Sequence, residues 1–96
     1  MKKNEALKQL TAHLPELKKR FGVLDLALFG STSRDTADPQ SDIDILVAFD
    51  GVADSSRYFG LEFYLEDLLD VPVDLVTDKA LRPELRPYIE QEAIHV

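Results

Sequence analysis

The chain has 96 residues and no cysteine, so disulfides, thiolate metal sites and thiol nucleophiles are excluded. Hydrophobic residues make up 45% and charged residues 30%, the balance of one globular domain rather than of a disordered chain. The net charge of −7 is unevenly spread, with residues 1–34 carrying +4, residues 35–78 carrying −11 and residues 79–96 neutral, which argues against a general duplex-binding surface because phosphate neutralisation needs clustered Lys and Arg.

The start, Met1-Lys2-Lys3-Asn4-Glu5, leads into an amphipathic pattern rather than the apolar run of a signal peptide. No apolar stretch approaches the roughly 20 residues that a bilayer span requires, so a cytoplasmic protein without a membrane partner is expected. Leu7, Leu10, Leu14, Leu17 and Phe21 recur at helical spacing, with lysines elsewhere around the wheel. Pro15 interrupts them and suits a first helical turn, so the pattern predicts one helix to about His13 and a second from Pro15 to Arg20, with Gly22 as the stop. His13 has no metal-spaced partner and reads as a surface or satisfied histidine.

Leu24, Leu26 and Leu28 alternate with Asp25, Ala27 and Phe29, which is strand periodicity, and Gly30 ends it. Ser31 to Arg34 can begin a short helix, and Asp35 to Gln40, with Pro39, is loop. Ile43, Ile45, Val47 and Phe49 define a second strand from about Asp42, closed by Asp50-Gly51. A helix capped by Asp54 or Ser55 carries Phe59, Leu61, Phe63, Leu65, Leu68 and Leu69 to a stop at Asp70, enforced by Pro72. Val73-Asp74-Leu75-Val76 is a third strand. The tail, with Pro83 and Pro87, predicts one or two short helices with Leu81, Leu85 and Ile89 facing inward, and a last strand or docking segment over Ala93 to Val96. Tyr58, Tyr64 and Tyr88 read as core or rim packing, with a partner surface as the alternative. The element order is that of a small α/β domain whose helices pack on a sheet.

Most carboxylates of the acidic middle segment read as a solvated face. Asp42 and Asp44 differ, because residues i and i+2 of a strand project to one side with alpha carbons roughly 6.6 Å apart. Ile43 and Ile45 point the other way and fix the register. Carboxylates so close repel unless a proton or metal ion sits between them, and magnesium suits such oxygen ligands. A third carboxylate is expected if the site holds two metals or needs a base. Asp74 fits that place. Asp25 competes for it but falls at the opposite end of its strand from the Gly-Ser turn. Gly30 allows a phosphate to approach the turn, the following amides form an anion site, Ser31 adds a hydroxyl and Arg34 could reach the same polyphosphate.

The ordered combination is Gly30-Ser31, ten residues, Asp42-Ile43-Asp44 opening an aliphatic strand, and Asp74 inside another. It resembles the DNA polymerase β-like nucleotidyltransferase superfamily and, at this length, its minimal nucleotidyltransferase branch, the antitoxins paired with HEPN-domain toxins. The resemblance runs from about Leu14 to the tail. It implies a single minimal nucleotidyltransferase domain over residues 1–96, with a small mixed β-sheet and a polymerase β palm-like fold. It further implies Asp42, Asp44 and Asp74 as catalytic metal ligands, with Asp74 also deprotonating the attacking hydroxyl. Gly30 and Ser31 match the phosphate-binding pair and Arg34 a frequently basic position. Many relatives follow that Arg with Gly, where this chain has Asp35 and Thr36.

The function implied is magnesium-dependent transfer of AMP from ATP, with two ions, onto a tyrosine hydroxyl of a HEPN toxin, in a hetero-oligomer that acts as antitoxin without contacting nucleic acid directly. The domain has no room for the acceptor-holding domain of aminoglycoside nucleotidyltransferases. Two alternatives are an antitoxin that neutralises by binding alone and an aminoglycoside-type enzyme acting on a small molecule. Haloacid-dehalogenase and glycosyltransferase Asp-x-Asp motifs follow an apolar strand, whereas here the strand comes after the pair. No Walker or EF-hand pattern is present, and two histidines give a Ser-His-Asp system little support.

Overall fold

The computed structural model describes residues 2–30 and 42–96. Ser31, Arg34 and the expected loop from Asp35 to Gln40 lie outside the described residues. In chain order the elements are α1 (Lys3–Phe21), β1 (Val23–Phe29), β2 (Ile43–Phe49), α2 (Ser55–Leu69), β3 (Val73–Thr77), a 3-10 turn (Asp78–Ala80), α3 (Arg86–Glu92) and β4 (Ile94–His95). Among the described residues no helix is long and apolar enough to cross a membrane.

The expected break at Pro15 does not occur: α1 runs through it as one helix. A proline at that point removes one backbone donor and crowds the carbonyl four residues earlier. Both Pro15 and Thr11 are exposed, so water can satisfy the carbonyl, while buried Ala6, Leu10 and Leu17 anchor the helix on either side. Gly22 ends it in the left-handed conformation, its amide donating to Lys18 O.

Four strands form one sheet in the order β3-β2-β1-β4. β1 pairs antiparallel with β2 and with β4, and β2 pairs parallel with β3. The parallel pair requires a crossover, which α2 supplies. Its first turn is capped by Asp54, whose Oδ1 accepts from the Arg57 amide at 2.8 Å. It stops at Asp70, which takes up φ 58° ahead of Pro72.

The alternation read over β1 is displaced at its start. A bulge between Val23 and Asp25 shifts the register, so Val23 enters the core and Leu24 is left 59% exposed. Two residues of the bulged strand then face one of its neighbour.

Each sheet face has its own cover. Leu26, Leu28, Ile43, Ile45, Val47, Val73 and Leu75 meet α1 and α2 in the main core. On the other face Ala27 and Leu46 pack with Leu81, with Phe29, Val76, Ile89 and Ala93 around them. The tail therefore covers the second face, although Leu85 stays exposed rather than turning inward as expected. In α2 the inward stripe is Leu61, Leu65 and Leu69, spaced at four residues, while Phe59 and Phe63 face solvent. Tyr58 and Tyr64 pack against the main core, but Tyr88 is exposed. His13 is satisfied, its Nδ1 lying 3.0 Å from the Tyr64 hydroxyl.

Candidate active site

β1 ends where β2 begins, because the two strands are antiparallel. Phe29 is the register partner of Asp44, so Gly30 emerges beside the Asp44 side chain. Gly30 has φ 74°, and a Cβ placed on it would lie 2.1 Å from Asp44 Oδ2. No other residue type fits that contact without moving the carboxylate. The group that approaches Gly30 closely in the structure is thus the Asp44 carboxylate.

The parallel pairing does the rest. Ile43, Asp44 and Ile45 stand beside Val73, Asp74 and Leu75, so Asp44 and Asp74 occupy one rung of the sheet and project to the same face. Their apolar neighbours all turn into the main core, which pins the register. Asp42 precedes β2 by one residue, is exposed, and belongs to the same face by its spacing. The Tyr58 hydroxyl, reaching across from α2, donates to the Leu75 carbonyl and ties α2 to the strand that carries Asp74.

The electrostatics follow from this crowding. Partial burial, the charge of Asp74 and a side-chain hydrogen bond to Asp74 push the Asp44 carboxyl up from 3.8 to about 6, with Asp42 and Glu92 adding to the effect. Asp25, the competing third carboxylate, is elsewhere. It pairs with Ala48 at the far end of β1, where His95 Nδ1 lies 2.9 Å from its Oδ2. Four strand residues, about 13 Å, separate it from Phe29.

As the side chains stand, no group of three His, Cys, Asp or Glu among the described residues is gathered closely enough to enclose a metal ion. The donor set nevertheless fits a hard divalent cation: carboxylate oxygens side by side on one rung are the groups whose repulsion such an ion relieves. Ser31 and Arg34 lie outside the described residues, so of the expected phosphate binders only Gly30 has a described position.

Glu92 is the functional candidate that sequence reasoning missed. Its Oε1 accepts from the Gly30 amide at 3.1 Å. The only signal would have been the pairing of β4 with β1, and a two-residue strand is too short to set a register from sequence.

The nucleotidyltransferase domain family matches residues 10–96. Protein adenylyltransferase MntA of Thermococcus cleftensis is 41% identical over 87 residues, covering 91% of this chain and 88% of the relative. Among solved structures, a candidate minimal nucleotidyltransferase superposes with a TM-score of 0.84 at 36% identity, over 98% of this chain and 95% of the other. A complex of tri-AMPylated Shewanella oneidensis HEPN toxin with MNT antitoxin contains a chain that matches with a TM-score of 0.60 at 26% identity, over 97% of this chain and 66% of that one.

Proposed function

Because the chain belongs to the nucleotidyltransferase domain family, a family of enzymes, we propose that it transfers AMP from ATP to a tyrosine hydroxyl of a HEPN toxin and so acts as that toxin's antitoxin. The observation that carries the reading is the shared rung of Asp44 and Asp74, with Asp42 one step before it and Gly30 against the Asp44 carboxylate. The acceptor follows from the relatives, one being named a protein adenylyltransferase and another lying in a complex whose toxin is AMPylated.

In this mechanism Asp42, Asp44 and Asp74 would hold magnesium, which when bound supplies charge stabilisation to the transferring phosphoryl group. The residues of the chain do the remainder. Asp74, exposed near the start of β3, accepts the proton of the acceptor hydroxyl. The freed oxygen forms a bond to the α-phosphorus as the bond to the bridging oxygen breaks, and pyrophosphate leaves. Gly30 and Ser31, with Arg34 beyond them, hold the phosphates in line.

The test is incubation of the chain with labelled ATP, magnesium and the protein encoded beside it. Label is expected on a partner tyrosine, and Asp42→Asn with Asp44→Asn is expected to lower transfer by at least about a hundredfold. Undiminished transfer by that double variant would sink the assigned roles. A stable complex that never takes up label would favour neutralisation by binding alone, and label on an aminoglycoside hydroxyl without any partner would favour the small-molecule enzyme.

A further inference from the structure

Gly30 is poorly equipped to hold its own conformation. It has no side chain to pack, and it sits at φ 74°. A glycine in such a place loses more conformational freedom on ordering than any other residue, so something outside it must supply the restraint.

The tail does so. Ala27 pairs with His95 and Leu28 with Ile94, and continuing that antiparallel register by two residues sets Glu92 opposite Gly30. At that point the backbone has left the strand for α3, and the Glu92 side chain takes over as acceptor, its Oε1 3.1 Å from the Gly30 amide. The donor of the restraint is itself well anchored. Ile89 and Ala93, on either side of Glu92, pack on Ala27, Leu46 and Leu81, and the Val96 amide donates to the Leu26 carbonyl at 2.9 Å.

We propose that Glu92 is a positioning residue for nucleotide binding: its carboxylate latches the Gly30 amide and thereby fixes Gly30 itself, where the turn leaves β1 to meet the nucleotide phosphates. The inference rests on the reading above that this turn meets a nucleotide phosphate. Glu92 acts through Gly30 and not on substrate. A carboxylate accepting from a backbone amide makes a charge-assisted hydrogen bond, stronger than a neutral one, and ligand groups held loosely by their support lose much of their affinity.

The full chain, labelled with nitrogen-15, gives two readouts in Glu92→Ala and Glu92→Gln: hydrogen exchange at the Gly30 amide and affinity for ATP with magnesium. Glu92→Ala removes the acceptor. Its Gly30 amide is expected to exchange at least about tenfold faster and its ATP affinity to fall about tenfold. Glu92→Gln keeps an amide oxygen that can accept from Gly30, and both quantities are expected within about threefold of the parent chain. Should Glu92→Ala fail to fold, Glu92→Asp takes its place, one methylene too short to reach Gly30, with the same losses expected.

Unchanged exchange or unchanged affinity in the variants lacking the contact overturns the proposal. So does Glu92→Gln losing as much as Glu92→Ala, because that outcome assigns the effect to charge rather than to the latch. A parent chain that binds ATP but labels no partner refutes the proposed acceptor, while the binding comparison still decides the role of Glu92. A parent chain that binds no ATP refutes both.

Discussion

Asp44 carries the heaviest electrostatic load of the site. Burial, Asp74, Asp42 and Glu92 all raise its carboxyl, to about 6 against an ordinary 3.8, so between those two values the folded chain binds a proton that the unfolded chain has released. Stability from this group is therefore fully present below pH 3.8 and is lost as pH rises through about 6. Asp44→Asn has no charge to bury. In buffer free of divalent ions, its melting temperature is expected to differ little from that of the parent near pH 4 and to exceed it by a widening margin up to pH 7. Thermal melts of the two proteins across that range check this, and a gap independent of pH would assign the effect to packing instead. Residue-level reasoning singled out Asp42, Asp44 and Asp74 as candidates but not Glu92. The three aspartates announce themselves by alternating with Ile43, Val73 and Leu75, whereas Glu92 is one acid in a polar tail whose position depends on a pairing between distant segments.

At the scale of elements, the end of the sheet opposite the site is gathered by Arg57. Its guanidinium donates to the carbonyls of Phe21 at 3.0 Å, Gly22 at 3.2 Å, Asp50 at 3.0 Å and Val52 at 2.9 Å, and it lies 5.1 Å from the Phe49 ring centroid. One side chain of α2 thus ties the end of α1 to the turn after β2. Arg57→Ala is expected to destabilise the fold by about 2–4 kcal/mol, seen as a lower urea midpoint, with transfer per folded molecule unchanged. A large loss of activity without loss of stability would mean that this end is coupled to the carboxylates. Arg57 was legible only as a polar residue on a helix, because its four acceptors come from segments that the fold alone brings together. Strand and helix positions were legible where periodicity was long, as in β2 and α2. They were misread where a local rule met tertiary anchoring: Pro15 is carried inside α1 by Leu10 and Leu17, and Leu24 is turned outward by a bulge that alternation cannot reveal.

For the whole molecule the charge distribution matters more than its sum. Twelve acids and a single base fall in residues 35–78, so self-repulsion opposes compaction and any salt that screens it should help. A cation that binds the carboxylates does more than screen. Magnesium at several times its dissociation constant is expected to stabilise the fold by about 1 kcal/mol, raising the melting temperature by about 4–8 °C for a domain of this size. Sodium chloride at equal ionic strength provides the comparison, and Asp42→Asn with Asp44→Asn should erase the difference between the two salts. Superimposable melts in both salts for the parent chain would mean screening alone.

The shared rung of Asp44 and Asp74 has a consequence for how the site fails. Neighbouring strands stand about 4.8 Å apart because peptide groups bond at that spacing, so the sheet acts as a ruler whose divisions no side chain sets. Substitutions in the core can bring the melting point closer without stretching the interval between the two carboxylates. Warming the protein leaves that interval correct for as long as the ladder is closed. The site is then lost in one step with the sheet, rather than drifting out of tune beforehand.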